Sequence, residues 1–172
     1  MIDIGSNLAM KTVARHLQEE AIRRTDFIER DTFGRSAFNR YYYATFLNVK
    51  KALGSFKQEW NTISHSTVPD VLRGTIKKEL VAGRSRALRT NDQDTVAACS
   101  KAVTAAKQLA ELMDSAYATR VTADYKPEIK IDFSNLYDFE LNTVHVNRAS
   151  EWPDNARGLI RIITFAWKQL HD

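Results

Sequence analysis

The chain holds one cysteine, three prolines and six glycines in 172 residues. A single thiol, Cys99, allows no internal disulfide and no zinc site built on cysteine pairs. So little proline and glycine excludes collagen-like and low-complexity chains, and 44% hydrophobic with 27% charged residues is a globular composition. Long hydrophobic runs are missing too. The longest, around Ile160 to Trp167, is broken by Arg161 and is far too short to span a membrane. Met1 to Lys11 lacks the basic-then-apolar order of a secretory signal, so a cytoplasmic protein with no membrane attachment is expected. The four histidines, His16, His65, His145 and His171, show no ligand spacing, and no metal is expected. No P-loop, dinucleotide fingerprint, HExxH or GxSxG motif occurs, so no cofactor is expected and the common enzyme classes lack support.

What is present is helical periodicity. Between Ala9 and Arg24, Val13, Leu17 and Ala21 recur at four-residue steps, with Ile28 beyond, and predict a first amphipathic helix. Asp31, Thr32 and Gly34 interrupt the pattern. A second helix is predicted over Arg35 to Leu53, with Phe38, Tyr42, Phe46, Val49 and Leu53 on one side. Gly54 to Ser66 reads as a connection. Ser66 or Thr67 can cap a third helix, Pro69 suits its first turn, and Val71, Leu72, Ile76 and Leu80 lead to a stop near Gly83.

Asn91 to Asp94 carry a second capping signal. After it comes the strongest stripe: Val96, Cys99, Val103, Ala106, Ala110, Met113 and Tyr117. Arg120 follows on the same side, where a guanidinium needs a partner, a cleft or solvent. Past Pro127, the alternation of Ile129, Ile131 and Phe133, continued less regularly by Phe139 and Leu141, predicts either a short β-hairpin or an extended loop near residues 128–146. Trp152, Pro153 and Asp154 mark the start of a final helix buried through Leu159, Ile163, Ala166 and Leu170. The expectation is one mainly α-helical domain over residues 1–172, an up-and-down bundle of about five helices.

Charge points to one class of partner. The net charge is +4, and Arg73, Lys77, Lys78, Arg84, Arg86 and Arg89 share their segment with one acid, Glu79. Such a block can neutralise phosphates, which makes RNA a candidate partner; as a solvated helix end it has no ligand at all.

Two segments carry a family resemblance. Ser36-Ala37-Phe38-Asn39-Arg40-Tyr41-Tyr42-Tyr43-Ala44-Thr45-Phe46, followed by Lys51-Ala52-Leu53 and Ser64-His65-Ser66, resembles the second helix and following loop of HEPN domains, especially those associated with minimal nucleotidyltransferases. Arg120-Val121-Thr122-Ala123-Asp124-Tyr125 is similar to the Arg-x-x-Ala-Asp-Tyr ending of the long helix in that group. The resemblance implies a helical bundle that forms a homodimer and a metal-independent endoribonuclease, or an RNase-derived effector, of a toxin–antitoxin or anti-phage defence system. It also implies a nucleotidyltransferase or another defence-system protein as partner, with Tyr125 as a modifiable tyrosine. The superfamily's Arg followed four to six residues later by His is absent from this helix, where Arg120, Asp124 and Tyr125 stand instead. That absence suits the alternative, a non-catalytic HEPN-like module that binds RNA, a nucleotide or a partner protein.

The candidate catalytic residues are Arg120, Asp124, Tyr125, His65 and Arg40. Metal-free cleavage through a ribose hydroxyl needs a cation near the phosphate, a role for Arg120 and Arg40, and proton-moving groups. His65 titrates near neutrality, Asp124 can orient Arg120 or act as a base, and Tyr125 can donate to a phosphate or stack on a base. Each also has a plainer role: an ion pair four residues apart for Arg120 and Asp124, a core or interface aromatic for Tyr125, a loop histidine for His65.

Overall fold

Small residues set how closely the chain packs, and two glycines that look like breaks in the sequence prove to be packing positions. A computed structural model describes residues 4–171, and the side chains among them from Leu8 onward. Of the Met1 to Lys11 stretch, residues 1–3 therefore lie outside the described residues. Helix α1 spans Ile4–Arg23, α2 Phe27–Phe56, α3 Val68–Val71, α4 Lys77–Arg89, α5 Gln93–Tyr125 and α6 Val146–His171. A 3-10 turn covers Gln58–Thr62, and a π-turn, Leu72–Ile76, joins α3 to α4 without a break. Strands β1 (Glu140–Leu141) and β2 (Val144–His145) pair antiparallel. The protein is a mainly α-helical bundle with a small hairpin, as the periodicity predicts. Its contacts cluster in two compact units, Met1–Asn48 with Ser115–Asp154, and Val49–Asp114 with Asn155–Asp172.

In the first unit α1 buries Ala14 and Ala21, with Leu17 half-buried. Val13 and Ile28, which spacing assigns to the same apolar side, are exposed. The buried face is rotated from the expected one and carries Gln18, which accepts the Tyr41 hydroxyl at 2.7 Å and donates to Asn147 at 2.8 Å. Burial pushes the Tyr41 phenol up to about 12, so it donates as a neutral hydroxyl.

Helix α2 starts at Phe27, well before the expected Arg35, because Asp26 accepts the Glu29 N–H at 3.0 Å and caps it. Gly34 does not interrupt this helix. A Cβ there would meet Ile131 Cδ1 at 2.8 Å and the Phe139 ring at 3.1 Å, so glycine is what lets the segment after α5 lie against α2. Phe38, Tyr42 and Phe46 are buried as predicted, with the Phe38 ring edge-on to Phe139 at 5.7 Å.

The region near residues 128–146 resolves into the hairpin, with an isolated bridge between Asp132 and Glu140. Its two-residue turn puts Asn142 at φ 47° and Thr143 at φ 69°. Asparagine tolerates this conformation; β-branched threonine is strained in it. Thr143→Gly should therefore raise stability by about 1 kcal/mol, read from urea unfolding, although glycine's looser unfolded state offsets part of the relief. A variant no more stable than the parent would show the turn to be unstrained.

Helix α6 begins at Val146, whose N–H donates to the Phe139 carbonyl at 2.8 Å, and not at Trp152 to Asp154. Pro153 lies inside the helix, where it has no N–H to donate to the carbonyl four residues back.

In the second unit the run from α3 to α4 buries Leu72, Ile76, Leu80 and Ala87 and continues to Arg89, past the expected stop at Gly83. Gly83 is buried under Leu170, whose terminal methyl groups would have to move aside for a Cβ. The left-handed residue that ends this run is Asn91, at φ 56°. Pro69 occupies the first turn as predicted, while Thr67 offers no side-chain cap because its hydroxyl bonds Ser64 at 2.5 Å. Asp92 caps α5 by accepting the Thr95 N–H at 3.1 Å, and these bonds hold its carboxyl below the usual range. Cys99 is fully buried, which pushes its thiol pKa up.

Candidate functional site

The C-terminal turn of α5 and the middle of α2 meet in the first unit. Arg120 and Asp124 are one helical turn apart, and Arg120 Nε lies 2.7 Å from Asp124 Oδ2. The N–H of Nε is not aimed along that line and makes no directed hydrogen bond, so the contact is chiefly one of charge. From α2, Asn39 Nδ2 donates to both oxygens of Asp124, at 2.9 and 3.0 Å. Arg120 Nη2 donates to the Tyr43 hydroxyl at 3.4 Å. The guanidinium carbon lies 5.7 Å from the centre of the Tyr43 ring and 5.4 Å from that of Tyr125.

These contacts fix a cation whose side chain is only 15% exposed. Burial works against its charged form, but Asp124 and the two tyrosines outweigh that and move its pKa up. Beneath it Tyr42 is fully buried beside Tyr43, Tyr117 and Phe46, and burial raises its phenol pKa strongly. Tyr125 is the opposite case: 67% of its surface faces solvent.

The frame around the cluster is set by Arg35. Its Nη1 donates to the carbonyls of Thr122, Ala123 and Lys126 at 3.2–3.4 Å, and Nη2 to that of Ile129 at 2.6 Å. Those include carbonyls that the end of α5 leaves without helical partners. Asp31 holds Arg35 in turn, with Nε to Oδ2 at 2.6 Å.

Family models, curated proteins and solved structures offer no match to this chain.

Of the five candidate catalytic residues, Arg120, Asp124 and Tyr125 come together. Arg40 is exposed on α2, with Nη1 3.9 Å from the Met10 sulfur of α1. His65 belongs to the second unit, in the turn between Ile63 and Val68. The cluster itself therefore holds a cation, a carboxylate, an amide and phenols. It can orient an anion or a planar ring against the Arg120 and Tyr125 edge.

Asn39 and Tyr43 are not among the five candidate catalytic residues, although the spacing of Tyr43 puts it on one helix face with Arg40 and Leu47, a face able to line a dimer contact or a cleft. Both lie in the segment that carries the family resemblance, four apart and so on one helix face, which is the signal that could have found them. In the basic block Arg73 pairs with Asp114 at 2.5 Å. Lys77, Lys78, Arg86 and Arg89 are exposed along the run ending in α4, and Arg84 is half-buried. Among the described residues, no group of histidine, cysteine and acidic side chains is placed to hold a metal, and no helix is long and apolar enough to cross a membrane.

Proposed function

We propose that this chain is a HEPN-like RNA-binding module whose contact is centred on Tyr125 and Arg120. The observation that carries this reading is the pairing of a solvent-facing aromatic ring with a cation fixed 5.4 Å from its centre. A ring of this kind can stack an unpaired base, and the nearby guanidinium attracts the phosphate next to it. Asp124 compensates part of the Arg120 charge and holds its geometry, which favours reversible binding. The exposed bases of α4 supply a separate, sequence-independent attraction for phosphates that weakens with salt.

Fluorescence anisotropy with labelled single-stranded RNA in EDTA tests this. Tyr125→Ala should weaken binding about tenfold, given the ~1–3 kcal/mol that a base stacked on an aromatic ring is worth, while Tyr125→Trp should retain it. Arg120→Met should weaken it comparably. Wild-type protein that binds no RNA at low salt would overturn the reading.

A second reading, a metal-independent endoribonuclease or RNase-derived effector in toxin–antitoxin or anti-phage defence, is favoured by the direct contact of cation and carboxylate beside an exposed phenol. RNA cleavage in the same EDTA incubations, lost in Arg120→Met, would select it over binding alone.

A further inference from the structure

We infer that the groove between the first turns of α5 and the last turns of α6 binds a small organic carboxylate with an apolar body. The groove belongs to the second unit alone and encloses about 570 Å3, within the size range of small-molecule sites. The RNA contact does not use it, because Tyr125 and Arg120 belong to the first unit.

Helix spacing builds the walls. Asp94, Ala97, Ala98 and Lys101 share one face of α5, and Ile162 and Phe165 face them from α6. The two alanines leave space that larger side chains would fill. Ile162 and Phe165 border that space and remain 40% and 60% exposed, so an apolar ligand seated there removes their surface from water.

The charges select the kind of ligand. Lys101 and Arg161 line the groove against one acid, Asp94, which leaves one positive charge in excess. Among the described residues neither cation pairs with a carboxylate. Other partly exposed cations of this unit do: Lys57 pairs with Glu79, and Arg73 with Asp114. One uncompensated charge beside apolar surface fits a monoanion, and a guanidinium presents the fork that a carboxylate accepts. A chain of phosphates would gain nothing from Ile162 and Phe165. A protein partner would need roughly 800 Å2 of cover, whereas this groove follows α5 for two turns, about 10 Å.

Titration of the full chain, labelled with 15N, with decanoate at low salt and below its micelle concentration tests the assignment. Amide shifts should saturate and centre on residues 94–101 and 161–169. Decanol, which keeps the chain and drops the charge, should bind about tenfold more weakly. Lys101→Gln with Arg161→Gln should lower decanoate to the affinity of decanol and leave decanol unchanged, while Phe165→Ser should weaken both. These three positions are exposed, so circular dichroism should show both variants folded. The comparison of decanol with decanoate uses wild type alone and stands whatever the variants do. Three results would each overturn the assignment: shifts that do not saturate or that spread along both units, decanol binding as tightly as decanoate, or a doubly substituted variant that binds decanoate like wild type.

Discussion

Arg35→Met is expected to destabilise the protein by about 3 kcal/mol, because it removes one half of a largely buried ion pair together with the cap of the longest helix. The Arg35 side chain is 12% exposed and makes bonds to four carbonyls near the end of α5 besides its pair with Asp31. Methionine keeps much of the aliphatic volume, so the loss reports the polar contacts. Asp31 is left in the worse position. Its Oδ1 is already buried without a hydrogen bond among the described residues, and Arg35 is the cation that compensates the carboxylate. In thermal unfolding the loss corresponds to ~6–12 °C for a chain of this size. Adding Asp31→Asn should recover part of it, since the stranded charge is then gone, and the double variant should fall short of additivity by about 1 kcal/mol. An Arg35→Met protein within 1 kcal/mol of wild type would mean that water replaces the cap at little cost.

That arginine also shows where sequence reading stops. Helix existence was legible: the stripe from Phe38 to Leu53 and that from Val96 to Tyr117 both lie in helices whose larger side chains are mostly buried. Boundaries were less so, and for one reason. Glycine and proline mark breaks in an isolated chain, yet Gly34 and Gly83 lie inside helices where Ile131 and Leu170 come close, and Pro153 sits inside α6. Such demands come from residues far away in sequence, which local periodicity does not register.

The candidate site was legible in the same partial way. Arg120 and Asp124 could be paired from their spacing alone, because four residues is one helical turn. Asn39, Tyr43 and Arg35 reach the end of α5 across more than seventy residues of chain, and no local pattern encodes that meeting. His65 and Arg40 were grouped with Arg120 on chemistry, and chemistry does not specify distance. Arg35, which does most to frame the cluster, drew no notice in the sequence because an arginine four residues from an aspartate looks like any surface pair.

In the second unit the largest loss should follow Trp167→Ala, about 3–5 kcal/mol, the range seen when a large buried aromatic is cut to alanine. Trp167 is fully packed: its ring stacks on Phe56 at 4.9 Å, leans on Trp60 at 6.4 Å and covers His171 at 4.5 Å. Removing it costs the transfer energy of the indole and leaves a hole. The helices around that hole are also held by Gly83 under Leu170 and by Glu79 pairing with both Lys57 and His171, which restrains them from collapsing into it. Trp167→Phe keeps a ring against Phe56 and should lose clearly less. Urea unfolding followed by far-UV circular dichroism separates the two, since one of three tryptophans has been removed and fluorescence would change for trivial reasons. Equal losses in both variants would show that ring stacking contributes little and that indole volume alone matters. A loss below 1 kcal/mol in Trp167→Ala would mean that the site closes up after all.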